Sequence, residues 1–94
     1  MIFIVYRELT IKQETKNLLD SQIKFWTNSI KRQELNLSID VCWKNESTLI
    51  IIERWVSAEA YNNFIKTKDG KSLYESLNNY IDYTVRTEKM NTIS

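Results

Sequence analysis

The amino-acid sequence predicts an α+β fold, a four-stranded antiparallel sheet with helices packed on one face. The first ground is the order of hydrophobic periods, which runs strand, helix, strand, strand, helix pair, strand without repeat or low-complexity tract. The second is length, since 94 residues make one domain, residues 1–94, with a single core. A ferredoxin-like βαββαβ topology satisfies that order with right-handed crossovers.

Ile2 to Glu8 is dense in β-branched and aromatic residues, with Phe3, Val5 and Arg7 on one face and Ile2, Ile4, Tyr6 and Glu8 on the other. Both faces are partly apolar, so this strand is expected to be covered on two sides. Thr10 with Gln13 fits a capping box, and Leu19, Ile23, Trp26 and Ile30 then recur at helical spacing, defining one stripe of a helix over 12–31. Leu35, Leu37, Ile39, Val41 and Trp43 alternate strictly with Asn36, Ser38, Asp40, Cys42 and Lys44. A polar turn over 44–47 leads into Thr48 to Trp55, whose run Leu49-Ile50-Ile51-Ile52 marks the more buried partner of a hairpin. Ser57 is placed to cap the next helix, with Val56 and Tyr61 as a hydrophobic staple and Ala60, Phe64 and Ile65 as its inner face. Asp69-Gly70 is expected to interrupt that helix, because Gly favours the left-handed position past a helix end. Lys71 to about Asn79 resumes as a helix on Leu73 and Leu77, and Tyr80 to Lys89 alternates as the last strand.

A net charge of +1, with 43% hydrophobic and 27% charged residues, gives an ordinary surface and no expectation of a nucleic-acid partner. The chain has no His, no Pro, one Gly and one Cys. Without His there is no imidazole base, no His-activated nucleophile and no His-held zinc or haem; one Gly excludes the dinucleotide and P-loop phosphate cradles. No metal and no cofactor are expected. Cys42 cannot form an internal disulfide, and Met1 to Tyr6 lacks the basic region of an export signal. No apolar run approaches the roughly 20 residues that span a bilayer, so no membrane partner and a cytoplasmic location are expected.

At the end of the third strand the chain runs Glu53-Arg54-Trp55-Val56-Ser57-Ala58-Glu59-Ala60-Tyr61. This stretch resembles the antibiotic biosynthesis monooxygenase family, whose members carry a similar Trp, Ser, Glu-Ala run between strand three and the helix after it. The resemblance covers the whole chain in element order and concentrates in these nine positions. It implies a dimeric α+β barrel with a cavity between helices and sheet, in which the family's oxygenases hold an aromatic or haem substrate without a separate metal or flavin. Many relatives have a His nine residues past the Trp, where Phe64 stands here. Leu9-Thr10 also resembles the strand exit of the haem-degrading branch, but the three residues that branch needs are replaced by Arg7, Phe64 and Tyr74, so haem degradation is not expected. Tyr74 retains only the general capacity of a tyrosine to ligate ferric haem.

Two functional classes follow. The first is a small cofactor-independent monooxygenase acting on an aromatic or quinol-like substrate. Arg7 would hold a developing oxyanion, Trp55 and Phe64 would clamp the ring, and Tyr61, Tyr74 and Trp26 would line the cavity. The second is a non-catalytic ligand-binding or interaction dimer, favoured if Trp26, Trp55 and Phe64 close the interior. Arg7, lying on an apolar strand face, needs a carboxylate or an anionic ligand; Asp40, Glu53 and Asp82 are the candidates. Because both sheet faces carry apolar residues and the helices can cover only one, a homodimer packed sheet to sheet is expected.

Overall fold

The computed structural model describes residues 1–94: β1 (Phe3–Ile11), a 3₁₀ turn (Gln13–Thr15), α1 (Lys16–Lys31), β2 (Asn36–Trp43), β3 (Thr48–Trp55), α2 (Ala58–Lys66), α3 (Lys68–Asn78) and β4 (Ile81–Asn91). All strand pairs are antiparallel, and the order β2-β3-β1-β4 gives the ferredoxin-like α+β sheet. The long apolar centre strands β1 and β3 lie side by side, with Val5 opposite Glu53 and Arg7 opposite Ile51.

The helices cover one sheet face. Phe3, Val5, Leu9 and Ile11 of β1, Ile39 of β2 and Leu49, Ile51 and Trp55 of β3 are buried there with Leu19, Trp26 and Ile30 of α1. The period of two in a strand resolves the Leu49–Ile52 run: Leu49 and Ile51 point into the core, while Ile50 and Ile52 lie half-buried on the opposite face. Ile51 pairs with Arg7 of β1 and Val41 of β2, so the three side chains share the helix-covered face. The opposite face carries Ile4, Tyr6 and Glu8 of β1 with Ile50 and Ile52, and no helix packs on it.

Two local expectations change. Thr10 pairs with Thr48 inside β1, so it caps nothing; the chain enters α1 through the 3₁₀ turn, without a side-chain cap. The break between α2 and α3 falls at Thr67 rather than at Asp69-Gly70. Thr67 ends α2 with its hydroxyl donating to the Phe64 carbonyl at 2.7 Å and caps α3 by accepting from the Gly70 N–H at 3.0 Å. Gly70 sits within the first turn of α3 at negative φ. Its need is for space: a Cβ would stand 2.0 Å from the Phe64 carbonyl oxygen. Ser57 caps α2 as expected, accepting from the Ala60 N–H at 3.1 Å.

Candidate functional site

A cavity of about 350 Å³ opens between α3 and the β1–β4 half of the sheet. Its floor holds Arg7 and Leu9 of β1 with Ile81, Thr84 and Thr87 of β4; Tyr61 and Ile65 of α2 form a wall. Its roof is one stripe of α3, Lys71, Tyr74, Glu75 and Asn78, at positions i, i+3, i+4 and i+7.

Behind Arg7 lies a fully buried carboxylate. Glu53 points from β3 into the covered face with no exposed side-chain surface, and Arg7 Nη1 donates to its Oε2. Its Oε1 accepts from the Tyr74 hydroxyl at 2.6 Å and from the Trp55 indole N–H at 3.1 Å. Three donors therefore satisfy the carboxylate, which is the condition for keeping a charge in a core. Arg7 also donates through Nη2 to the Tyr61 hydroxyl at 2.7 Å, and its Cζ lies 4.8 Å from the centre of the Tyr74 ring.

The electrostatics follow. Burial opposes the charge on Arg7, but Glu53, together with the two tyrosines, more than offsets it and holds the guanidinium above its usual pKa. Burial raises the Tyr61 pKa, with Glu53 adding to the shift and Arg7 opposing it. Burial and then Glu53 likewise raise Tyr74. Both phenols are neutral at pH 7. Tyr74 spends its proton on Glu53, whereas Tyr61 accepts from Arg7 and makes no other hydrogen bond within the chain, leaving its own proton for the cavity.

Of the residues singled out from the sequence, Arg7, Tyr61 and Tyr74 meet in this cavity. Trp55 and Phe64 do not line it. Their rings stack at 5.3 Å inside the core, so the expected clamp is core packing, and Trp55 touches the site from behind through Glu53. Trp26 meets Tyr74 edge-on at 5.8 Å, gives its N–H to the Leu73 carbonyl and borders a separate groove of about 180 Å³ between α1 and α3. Among the carboxylates weighed for Arg7, Glu53 is the partner; Asp40 pairs with Arg54 at 3.3 Å, and Asp82 lies outside the cavity. Sequence reasoning did not single out Lys71, Glu75, Asn78, Thr84 or Thr87. The signal for the α3 residues was present as a polar stripe at helical spacing. No group of three or more His, Cys, Asp or Glu side chains is placed to hold a metal ion, and no helix is long and apolar enough to cross a membrane.

No family model matches the sequence, and no curated protein matches it. Solved structures match the fold. A conserved protein from Methanosarcina mazei Go1 superposes with a TM-score of 0.87 at 15% identity, over 98% of this chain and 93% of its own. A structure described as an antibiotic biosynthesis monooxygenase matches at 0.82 and 16% identity over the whole of both chains. A Chloroflexus aurantiacus J-10-fl protein, provisionally described in the same terms, matches at 0.80 and 12% identity over 100% of this chain and 95% of its own. The chain shares its fold with these structures, among them those described as antibiotic biosynthesis monooxygenases.

Proposed function

We propose that the cavity beneath α3 binds a small aromatic molecule with an acidic hydroxyl, and that the protein is a cofactor-independent monooxygenase of the antibiotic biosynthesis type acting on it. The observation that carries this reading is the Arg7–Tyr61 contact. A hydroxyl that accepts from a guanidinium is a stronger donor to a third group, and that third position is the cavity. Arg7 with Glu53 behind it forms a dipole whose positive end meets the ligand. Together, Arg7 and Tyr61 suit the negative oxygen that a phenol-like substrate must develop before dioxygen attacks its ring. Trp55 acts as a positioning residue, since its indole holds Glu53 and Glu53 orients Arg7. The kinship of fold with structures described as monooxygenases agrees with this chemistry.

The test is oxygen uptake with a panel of anthrones and hydroquinones. Uptake above the uncatalysed rate is expected, with Tyr61→Phe lowering kcat about 100-fold, the scale of losing one oxyanion donor. No uptake and no ligand-induced rise in Tm would overturn the reading. The burial of Trp26, Trp55 and Phe64 in the core favours the second reading, a non-catalytic ligand-binding or interaction dimer; the open cavity beside Arg7 favours the enzyme.

In either reading, a second copy of the chain covers the open sheet face, where Ile4, Ile50 and Ile52 would meet their symmetry mates in a homodimer burying about 2,000 Å² or more. Sedimentation equilibrium giving a stable 11.2 kDa monomer at micromolar concentration would overturn that.

A further inference from the structure

The Arg7–Tyr61 contact can hold an oxyanion but cannot make one, and the chain has no His to take the proton. Two carboxylates stand near the cavity. Glu53 is enclosed by Arg7, Tyr74 and Trp55 and has no surface on the cavity. Glu75 is exposed, lines the cavity on the α3 roof across from Arg7 and takes part in none of the five ion pairs. The other polar groups of the lining, Lys71, Asn78, Thr84 and Thr87, are donors or neutral.

We propose that Glu75 is the general base of this site, an inference that rests on the oxygenase reading. Its carboxylate takes a proton from the acidic C–H or O–H of the bound aromatic. The electron pair of that bond stays on the substrate, whose oxygen Arg7 and Tyr61 hold, so the step involves no redox change. Dioxygen from solution then accepts two electrons from the ring carbon as the C–O bond forms. The proton on Glu75 passes to the outer peroxide oxygen. Loss of the carbon's remaining hydrogen as a proton then turns its C–H electron pair into the carbonyl bond, breaks the O–O bond and expels hydroxide, which takes up that second proton and leaves as water.

Proton abstraction can be read without oxygen. An anthrone incubated anaerobically with the protein in D₂O, followed by mass spectrometry, reports exchange at its acidic carbon. The wild-type protein is expected to accelerate exchange. Glu75→Gln should slow it about 100-fold, the lower end of general-base effects, with anthrone affinity within twofold, while Glu75→Asp retains part of the rate. Glu75 is exposed, so neither substitution threatens the fold. Exchange by Glu75→Gln at the wild-type rate overturns the assignment, as does a wild-type protein that gives no acceleration. Exchange that depends on Glu75 without oxygen uptake would overturn the oxygenase reading and leave the base in place; uptake that survives Glu75→Gln would do the reverse.

Discussion

The two faces of the sheet solve the same problem in different solvents. On the covered face, Glu53 receives Arg7, Tyr74 and Trp55 with no side-chain surface exposed. On the open face, Glu8 receives Tyr6 at 3.0 Å and lies 3.5 Å from both Lys44 and Arg86, whose side chains are more than half exposed. The chemistry is nearly identical: a carboxylate, a tyrosine and cations. What differs is what happens when one partner leaves. Glu8 is itself nearly buried, but the exposed ends of Lys44 and Arg86 leave water and other cations a way to replace them, whereas around Glu53 nothing can.

The sharpest way to break the comparison is Glu53→Gln. It keeps the shape but leaves Arg7 as an uncompensated buried charge, and should cost about 3–5 kcal/mol by chemical denaturation. A loss under 1 kcal/mol would mean that the cavity admits enough water to solvate Arg7. Next come the apolar neighbours. Ile51→Ala empties a fully buried site and should cost about 2–5 kcal/mol. Ile52→Ala, half-buried on the open face, should cost about 1 kcal/mol or less by the area it buries in one chain. An Ile52 loss that equals the Ile51 loss and varies with protein concentration would mean that a second copy covers that face.

The faces should also fail at opposite ends of the pH scale. Tyr61 and Tyr74 have folded pKa values raised above the ordinary 10.0. Their neutral forms are favoured by folding, so their contribution is fully present below pH 10 and is lost as pH rises through the higher folded values. Glu8 is shifted the other way, lowered from 4.5 chiefly by the Tyr6 hydrogen bond, with Lys44 and Arg86 adding to it. Its contribution is present above pH 4.5 and is lost as pH falls through the lower folded value. Melting curves across pH should lose their alkaline slope in Tyr61→Phe/Tyr74→Phe and part of their acid slope in Glu8→Gln. The Glu8→Gln effect is the smallest expected here and should shrink further in 0.5 M salt, because its partners are exposed. An acid slope indifferent to salt would mean that the exposed cations do not set the Glu8 shift.

Strand period and helix spacing were legible because each is a local pattern that burial enforces. The third strand was readable from Thr48 to Trp55, and the α1 stripe of Leu19, Ile23, Trp26 and Ile30 from its spacing alone. Gly70 was misread because the usual reason for a Gly after a helix is a left-handed backbone. Here the reason is the approach of one helix start to the Phe64 carbonyl, a tertiary fact. The site was half legible. Arg7 on an apolar strand face announced a buried partner, and Glu53 was among three candidates for it. Trp55 and Phe64 misled because an aromatic that fills a core and one that clamps a ligand have the same sequence signature. Glu75 was not singled out because its signal, a polar stripe at helical spacing, is the same for a cavity roof and for a solvated surface.

Strand β4 has a consequence of its own. It is eleven residues long at the edge of the sheet, exposed from Asp82 onward, and would offer a long row of free backbone groups to any other chain. Its pairing with β1 slips twice, between Glu8 and Leu9 and again between Thr10 and Ile11, and Arg86, Glu88 and Lys89 stand along it. Slips of this kind twist an edge out of plane, and the charges resist close stacking. A version of this chain with a regular, uncharged β4 would therefore retain its core and gain a flat edge open to pairing with the same edge of another copy, which light scattering against protein concentration would register.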